Sequence, residues 1–362
     1  MTWVELERIG EGELGCWREL ARHAAEPNPF FEPEFVLPAV RYLGARGVRL
    51  LVAKDRAGEW LGCLPVAPSV VHYRLHLPIL RSWCVPWYGC LGTPLLRADE
   101  LEAAAEGILA LALPRSPSRL VKLNMLGSDG PVAAALFAVL ARRGLTHTSK
   151  RCYDRPVINR ETLAGGALSI IAPRHRRDLR RLGRRLEDEL DAPLDISDRA
   201  ASAAAVEDFM VLEASGWKAA VGGALLGAAE HASFFREVCA GFRESGRLQM
   251  LRLGTESRAV SYKCNLLCDD GVFCTRIAFD DALSHYRPGV QLELRMLEIF
   301  ATQMSQPWMD SCTLPVHTLF ENLWPDRRPI GSYLVPAADS PDRTVPRGGE
   351  LVRGAQPLVG AP

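Results

Sequence analysis

The two halves of this chain spell the same order of secondary structure. Residues 48–54 and 60–68 carry the pattern of a hairpin around Asp55-Arg56-Ala57-Gly58, and residues 246–268 repeat it around Gly254-Thr255-Glu256-Ser257. A strand pattern at 81–90 is matched by one at 272–279, and a helix at 99–113 by one ending at Phe300. Strand 120–126 corresponds to 308–313, and the extended segment 146–158 to 331–335. Two α/β units of one topology, fused in tandem, each with a mixed central sheet flanked by helices, explain this economically. The expected division is 1–160 for the first unit and 168–336 for the second, because Gly165-Gly166 interrupts both patterns. Residues 337–362, rich in Pro, Gly, Asp and Arg without an apolar period, are expected to be a disordered tail.

Composition narrows the function. With 362 residues, 48% of them hydrophobic, the chain can bury large cores. Its 43 basic and 43 acidic residues exclude a protein that is basic throughout and coats DNA. The acidic start MTWVELERIGEGELG has no secretory pattern, and no apolar run reaches the roughly 18 residues of a membrane span, so a cytoplasmic protein without membrane insertion is expected. Ten scattered cysteines, several within apolar strands, are expected to be free; Cys264, Cys268 and Cys274 lack metal-ligand spacing, so no metal is expected.

The most informative local stretch is 272–300. Its first part is apolar and β-favouring, whereas Leu292, Met296, Leu297 and Phe300 recur at helical spacing, giving strand, turn, helix. Backbone N–H groups left free in the turn 286–291 and at the helix start form a natural seat for a phosphate, and a glycine at 289 lets it approach the backbone. A plain chain reversal is the competing reading.

Several stretches together resemble the GNAT-fold acyltransferases of the CelD-like type. They are NPFFEPEF, RHRRDLRRLGRRLEDE, EASGWKAAVGGAL, AFDDALSHYRPGVQL, DSCTLPVH and LWPDRR. The resemblance implies tandem GNAT units of the kind also seen in the Fem-type aminoacyltransferases. It further implies transfer of an acyl group, from acetyl-CoA or another acyl-CoA, to an amine or hydroxyl of a small molecule or envelope glycan in polysaccharide biosynthesis. Under the Fem-type alternative the donor is an aminoacyl-tRNA; a non-catalytic binding protein on the same fold is the other alternative. A monomer or homodimer is compatible with either. The family's phosphate loop has Gln or Arg, then Gly-x-Gly/Ala; here Tyr286 stands first, Gly289 matches, and Gln291 replaces the last small residue.

The expected donor contacts are Tyr286, Arg287, Gly289, Val290 and Gln291, with Arg180 and Arg184 from a helix that carries Arg174, Arg176, Arg177, Arg180, Arg181, Arg184 and Arg185 outside a stripe of leucines. A solvated face laced by short-range ion pairs is the bland reading of that helix. Glu213, on an apolar stripe, is a candidate base or structural ion-pair partner, and Lys218 a candidate to polarise the acyl carbonyl. Asp310 and His317 are the other candidate catalytic pair, the carboxylate orienting the imidazole. Trp217 and Arg276 are candidate substrate contacts, and Cys312 a weaker candidate nucleophile.

Overall fold

The computed structural model describes residues 2–69, 78–116, 120–216, 222–314 and 318–336. Trp217, Lys218, His317 and the expected tail 337–362 lie outside these residues.

The first half runs β1 (Thr2–Val4), α1 (Glu11–Arg22), α2 (Pro33–Tyr42), β2 (Arg49–Lys54), β3 (Trp60–Ser69), β4 (Ile79–Ser82), β5 (Leu95–Leu96), α3 (Leu101–Arg115), β6 (Leu120–Gly127), α4 (Pro131–Arg142) and β7 (Thr148–Asn159). After α5 (Pro173–Leu190) the second half repeats it: β8 (Asp195–Asp198), α6 (Ala204–Ala214), α7 (Ala229–Glu244), β9 (Leu248–Gly254), β10 (Ala259–Leu267), β11 (Gly271–Phe279), α8 (Pro288–Gln303), β12 (Trp308–Asp310), α9 (Thr318–Leu323) and β13 (Asp326–Pro336). The repeated order is therefore real apart from β5, which has no counterpart among the described residues of the second half, and α5, which has none in the first.

All the strands join one sheet, in the order β1-β2-β3-β4-β6-β13-β7-β12-β11-β10-β9-β8 with β5 on β3. The last strand of each half sits in the other half's sheet: β13 pairs with β6, and β7 with β12. The two exchanged strands pair antiparallel at the centre, placing Arg155 opposite Arg328. The parallel pairs β4/β6 and β11/β12 occupy equivalent places on either side. Helices cover the sheet, which is why a strand such as β10 is buried along nearly its whole length, its polar residues Ser261, Lys263 and Asn265 included.

One core runs across both halves. Phe30 and Phe31, in the linker between α1 and α2, are buried, and Phe30 meets Phe273 of β11 edge-on at 5.9 Å. Asn28 fixes that linker, accepting the Phe30 N–H at 3.1 Å and donating to the Thr93 carbonyl at 2.7 Å. Across the same seam Arg247 donates to Glu32, and Arg328 to Glu26 at 2.8 Å.

Burial pushes the carboxyls of Glu26 and Glu32 above their ordinary value of 4.5, although Arg328 and Arg247 pull the other way. A group with a raised folded pKa holds its proton more tightly folded than unfolded. Stability is therefore expected to rise as pH falls from neutral through the raised values, and to level off near 4.5. Denaturation midpoints between about pH 5 and 7 check this. The slope should flatten in Glu26→Gln and Glu32→Gln, and a wild-type midpoint that drops toward pH 5 contradicts the prediction.

Candidate active site

The site begins where two parallel strands part. β11 and β12 share three rungs, Gly271 with Trp308, Val272 with Met309 and Phe273 with Asp310. Beyond them β11 continues to Phe279, whereas the chain after Asp310 turns away through Ser311 and Cys312, the latter in the left-handed region at φ 55°. A V-shaped opening results, with Thr275, Arg276 and Ile277 along one arm and Asp310 to Cys312 at the other.

At the far end of β11 a short 3-10 helix, Asp281–Tyr286, leads to α8. The left-handed residue is Arg287, at φ 57°, and Pro288 takes the first helical position, where its fixed φ suits the helix and its missing N–H costs nothing. The expected turn is thus shorter than the sequence reading: Gly289, Val290 and Gln291 belong to the first turn of α8. No side chain caps this end, which leaves the N–H groups of the first turn and the positive end of the dipole without a side-chain partner, although Pro288 and Gly289 are themselves buried. Glycine is not forced at 289, for a Cβ there would meet only Phe279, Leu319 and Ile277 at 3.5–3.8 Å, ordinary contact.

Gln291 does not crowd the seat. Its amide donates to the Leu179 carbonyl of α5 at 2.9 Å, beside Gly183, whose missing side chain leaves room for it. Tyr286 is buried and donates its hydroxyl to Glu189 at 3.1 Å, with Arg185 over its ring. Both side chains brace α8 against α5. Arg180 and Arg184 are exposed and line a groove between those helices that also includes Gln291 but not Gly289 or Val290.

Glu213 is buried on α6 and closes an ion pair with Arg276 of β11 at 2.7 Å, while its other oxygen accepts the Leu225 N–H at 3.0 Å. The Arg276 guanidinium also donates to the Gly223 carbonyl and lies 5.4 Å from the ring of Tyr88. Tyr88, in the loop after β4, reaches across from the first half and its hydroxyl meets Nδ1 of His231 at 2.5 Å. Desolvation pushes the Tyr88 phenol above its ordinary pKa, more than Arg276 lowers it.

Asp310 is wholly buried between two arginines. Arg155 of β7 lies 3.4 Å from both its oxygens and Arg328 of β13 lies 3.6 Å from one, while the Cys312 N–H donates to it at 2.7 Å. Arg155 also donates to the Tyr153 hydroxyl and the Cys90 carbonyl. Burial pushes the Cys90 thiol up to about 11 and that of Cys312 well above its ordinary value, which holds both as thiols near neutral pH. A thiolate nucleophile at Cys312 is disfavoured accordingly.

Of the sequence candidates, Glu213 and Arg276 come together as a pair, and Asp310 sits at the same opening. Tyr88, His231 and Arg155 were missed. The aromatic, Gly-punctuated run WCVPWYGC was the available signal for Tyr88. Among the described residues no group of three or more His, Cys, Asp or Glu is placed to hold a metal, and no helix is long and apolar enough to cross a membrane.

A mixed sheet with a parallel pair in each half, and a helix N-terminus beside the end of the β11/β12 pair, defines the fold as two GNAT-like units in tandem. Residues 173–303 match the model of the acetyltransferase (GNAT) domain. Over 92% of this chain and 97% of the other, the structure is similar to FemX, with a TM-score of 0.58 at 10% identity. It is also similar to a conserved protein of unknown function from Bacteroides thetaiotaomicron, with a TM-score of 0.53 at 11% identity over 89% of this chain and 97% of that one. No curated protein matches the chain.

Proposed function

We propose that the chain is an acyltransferase that moves an acyl group from an acyl-CoA to an amine or hydroxyl at the opening between β11 and β12. The observation that carries this reading is the three-rung parallel pair that splays directly beside the uncapped start of α8. Such a V admits an extended pantetheine arm along the free edge of β11, and the first-turn N–H groups of Gly289 and Val290, with Arg287 at the cap, suit the donor's pyrophosphate. The acceptor heteroatom attacks the thioester carbonyl, its bond to carbon forms as the carbon–sulfur bond breaks, and the CoA thiolate leaves and takes up a proton. The acceptor's own proton passes to the Tyr88–His231 pair, with His317 as the alternative base and Lys218 to polarise the carbonyl. Glu213 and Asp310, engaged with arginines, are positioning residues; Arg276 borders the acceptor, and Trp217 stays a candidate acceptor contact from the sequence alone. A small molecule or an envelope glycan is the acceptor class in this reading.

Val290→Pro tests the donor seat. It removes one first-turn N–H where a helix tolerates proline, so titration calorimetry with acetyl-CoA should show affinity falling roughly ten-fold, in line with a lost hydrogen bond to a charged group, while the fold persists. Unchanged acetyl-CoA binding removes the seat from α8. No acetyl-CoA binding by the wild type leaves the Fem-type ligase or a non-catalytic binding protein.

A further inference from the structure

The seven arginines of α5 stand apart from the other surface charges of the molecule. Several exposed arginines elsewhere are matched, Arg18 with Glu34, Arg41 with Glu237, Arg142 with Glu102 and Arg236 with Glu207, whereas α5 gathers seven on one helix. Among the described residues, none of the α5 arginines has a carboxylate within 4.0 Å. The carboxylates at the end of the helix form no close ion pair with them: Glu187 accepts the Leu194 N–H at 3.1 Å and Glu189 accepts the Tyr286 hydroxyl. A protein of zero formal charge thus gathers unpaired positive charge on the one helix that has no counterpart in its other half.

This charge lines a concavity, not a convex face. Arg176, Arg177, Arg180 and Arg184 of α5, with Arg295 of α8, wall a groove of about 690 Å³ that Glu187 and Glu298 also border. Leu253 and Leu294 contribute an apolar floor. From Arg176 to Arg184 the helix rises roughly 12 Å, which suits a ligand bearing more than one phosphate. Guanidinium forks hold phosphate oxygens in pairs, and the floor takes an apolar or aromatic remainder.

We propose that the groove between α5 and α8 binds the diphosphate-type head of a ligand with an apolar or aromatic remainder, at a site separate from the donor seat at the start of α8. The separation rests on the lining: the groove follows the flank of α8 from Gln291 to Glu298, toward the helix C-terminus and away from Gly289. Gln291, bonded to α5, stands between the two places.

The test is titration calorimetry of the full chain with inorganic pyrophosphate, beside flotation with vesicles containing phosphatidylglycerol, for the wild type and for Arg180→Gln with Arg184→Gln. The exposed positions leave the fold intact, checked by circular dichroism. Pyrophosphate binding that weakens roughly ten-fold or more in the variant and persists with saturating acetyl-CoA supports a free phosphorylated ligand. Vesicle binding alone, lost in the same variant, supports a lipid-borne head of the same chemistry. Three outcomes overturn the proposal: binding equal in wild type and variant or absent from both probes, pyrophosphate displaced by acetyl-CoA, or capture of transfer RNA with both phosphate probes inert. Displacement by acetyl-CoA would return Arg180 and Arg184 to the donor site. Wild-type failure to bind acetyl-CoA would sink the acyl-CoA reading and leave this one standing.

Discussion

Asp310→Ala is expected to destabilise the chain by about 3–5 kcal/mol, the cost typical of removing one partner from a buried ion pair. Arg155 has no solvent exposure, and its Nε already lacks a hydrogen-bond partner. Without Asp310 its charge would face only the Tyr153 hydroxyl and the Cys90 carbonyl, neutral groups that do not offset burial of a cation. Arg328 would fare better, since Glu26 remains at 2.8 Å. The three charged side chains sit on β12, β7 and β13, the strands through which each half completes the other's sheet, so the loss falls on the join between halves. Urea denaturation checks it. Asp310→Asn, which keeps an acceptor for the Cys312 N–H, should fall between wild type and Asp310→Ala, and a loss under about 1 kcal/mol in the alanine variant would show that Arg155 finds other compensation.

Much of this architecture was legible because it rests on local patterns. The hairpins around Asp55 and Thr255 and the stripe Leu292, Met296, Leu297 and Phe300 all appear where spacing and turn chemistry put them. The exchange of β7 and β13 was not legible. A strand's alternation records which face is buried and not which strand lies beside it, so Arg155 gave no sign that it would lie opposite Arg328. Contacts such as Glu26 with Arg328, 302 residues apart, have no local trace. At the start of α8 the sequence offered the right residues in the wrong roles. Proline at 288 starts the helix, Arg287 carries the left-handed backbone, and Gln291 turns toward α5, an element whose packing partner cannot be read from its own stripe.

A fully buried ion pair inside the second half was also overlooked, although it leaves a mark in the sequence. Lys263 interrupts the apolar run of β10 and Glu293 the apolar face of α8; both are fully buried, and the ammonium lies 2.5 Å from Glu293 Oε2. Burial by itself would push the Lys263 pKa down, but Cys274 and Glu293 outweigh it and the net shift is upward. The ammonium therefore stays charged, 5.3 and 5.5 Å from the rings of Phe320 and Trp324. Glu293→Leu strands this cation in an apolar site and is expected to cost about 3–5 kcal/mol. Replacing both partners, Lys263→Met with Glu293→Leu, should recover most of that loss, because two packed apolar side chains need no desolvation of charge and Glu293 Oε1, now without a hydrogen-bond partner, disappears. Denaturant midpoints of the two single variants and the double variant form the cycle, and additive losses would show that the two side chains are not coupled. The double variant also separates structure from function. The pair ties β10 to the first turns of α8 and to α9, the elements that frame the proposed donor seat. A stable double variant that binds acetyl-CoA as the wild type does would make the ion pair structural; one that folds yet loses binding would show that it sets the geometry of the seat.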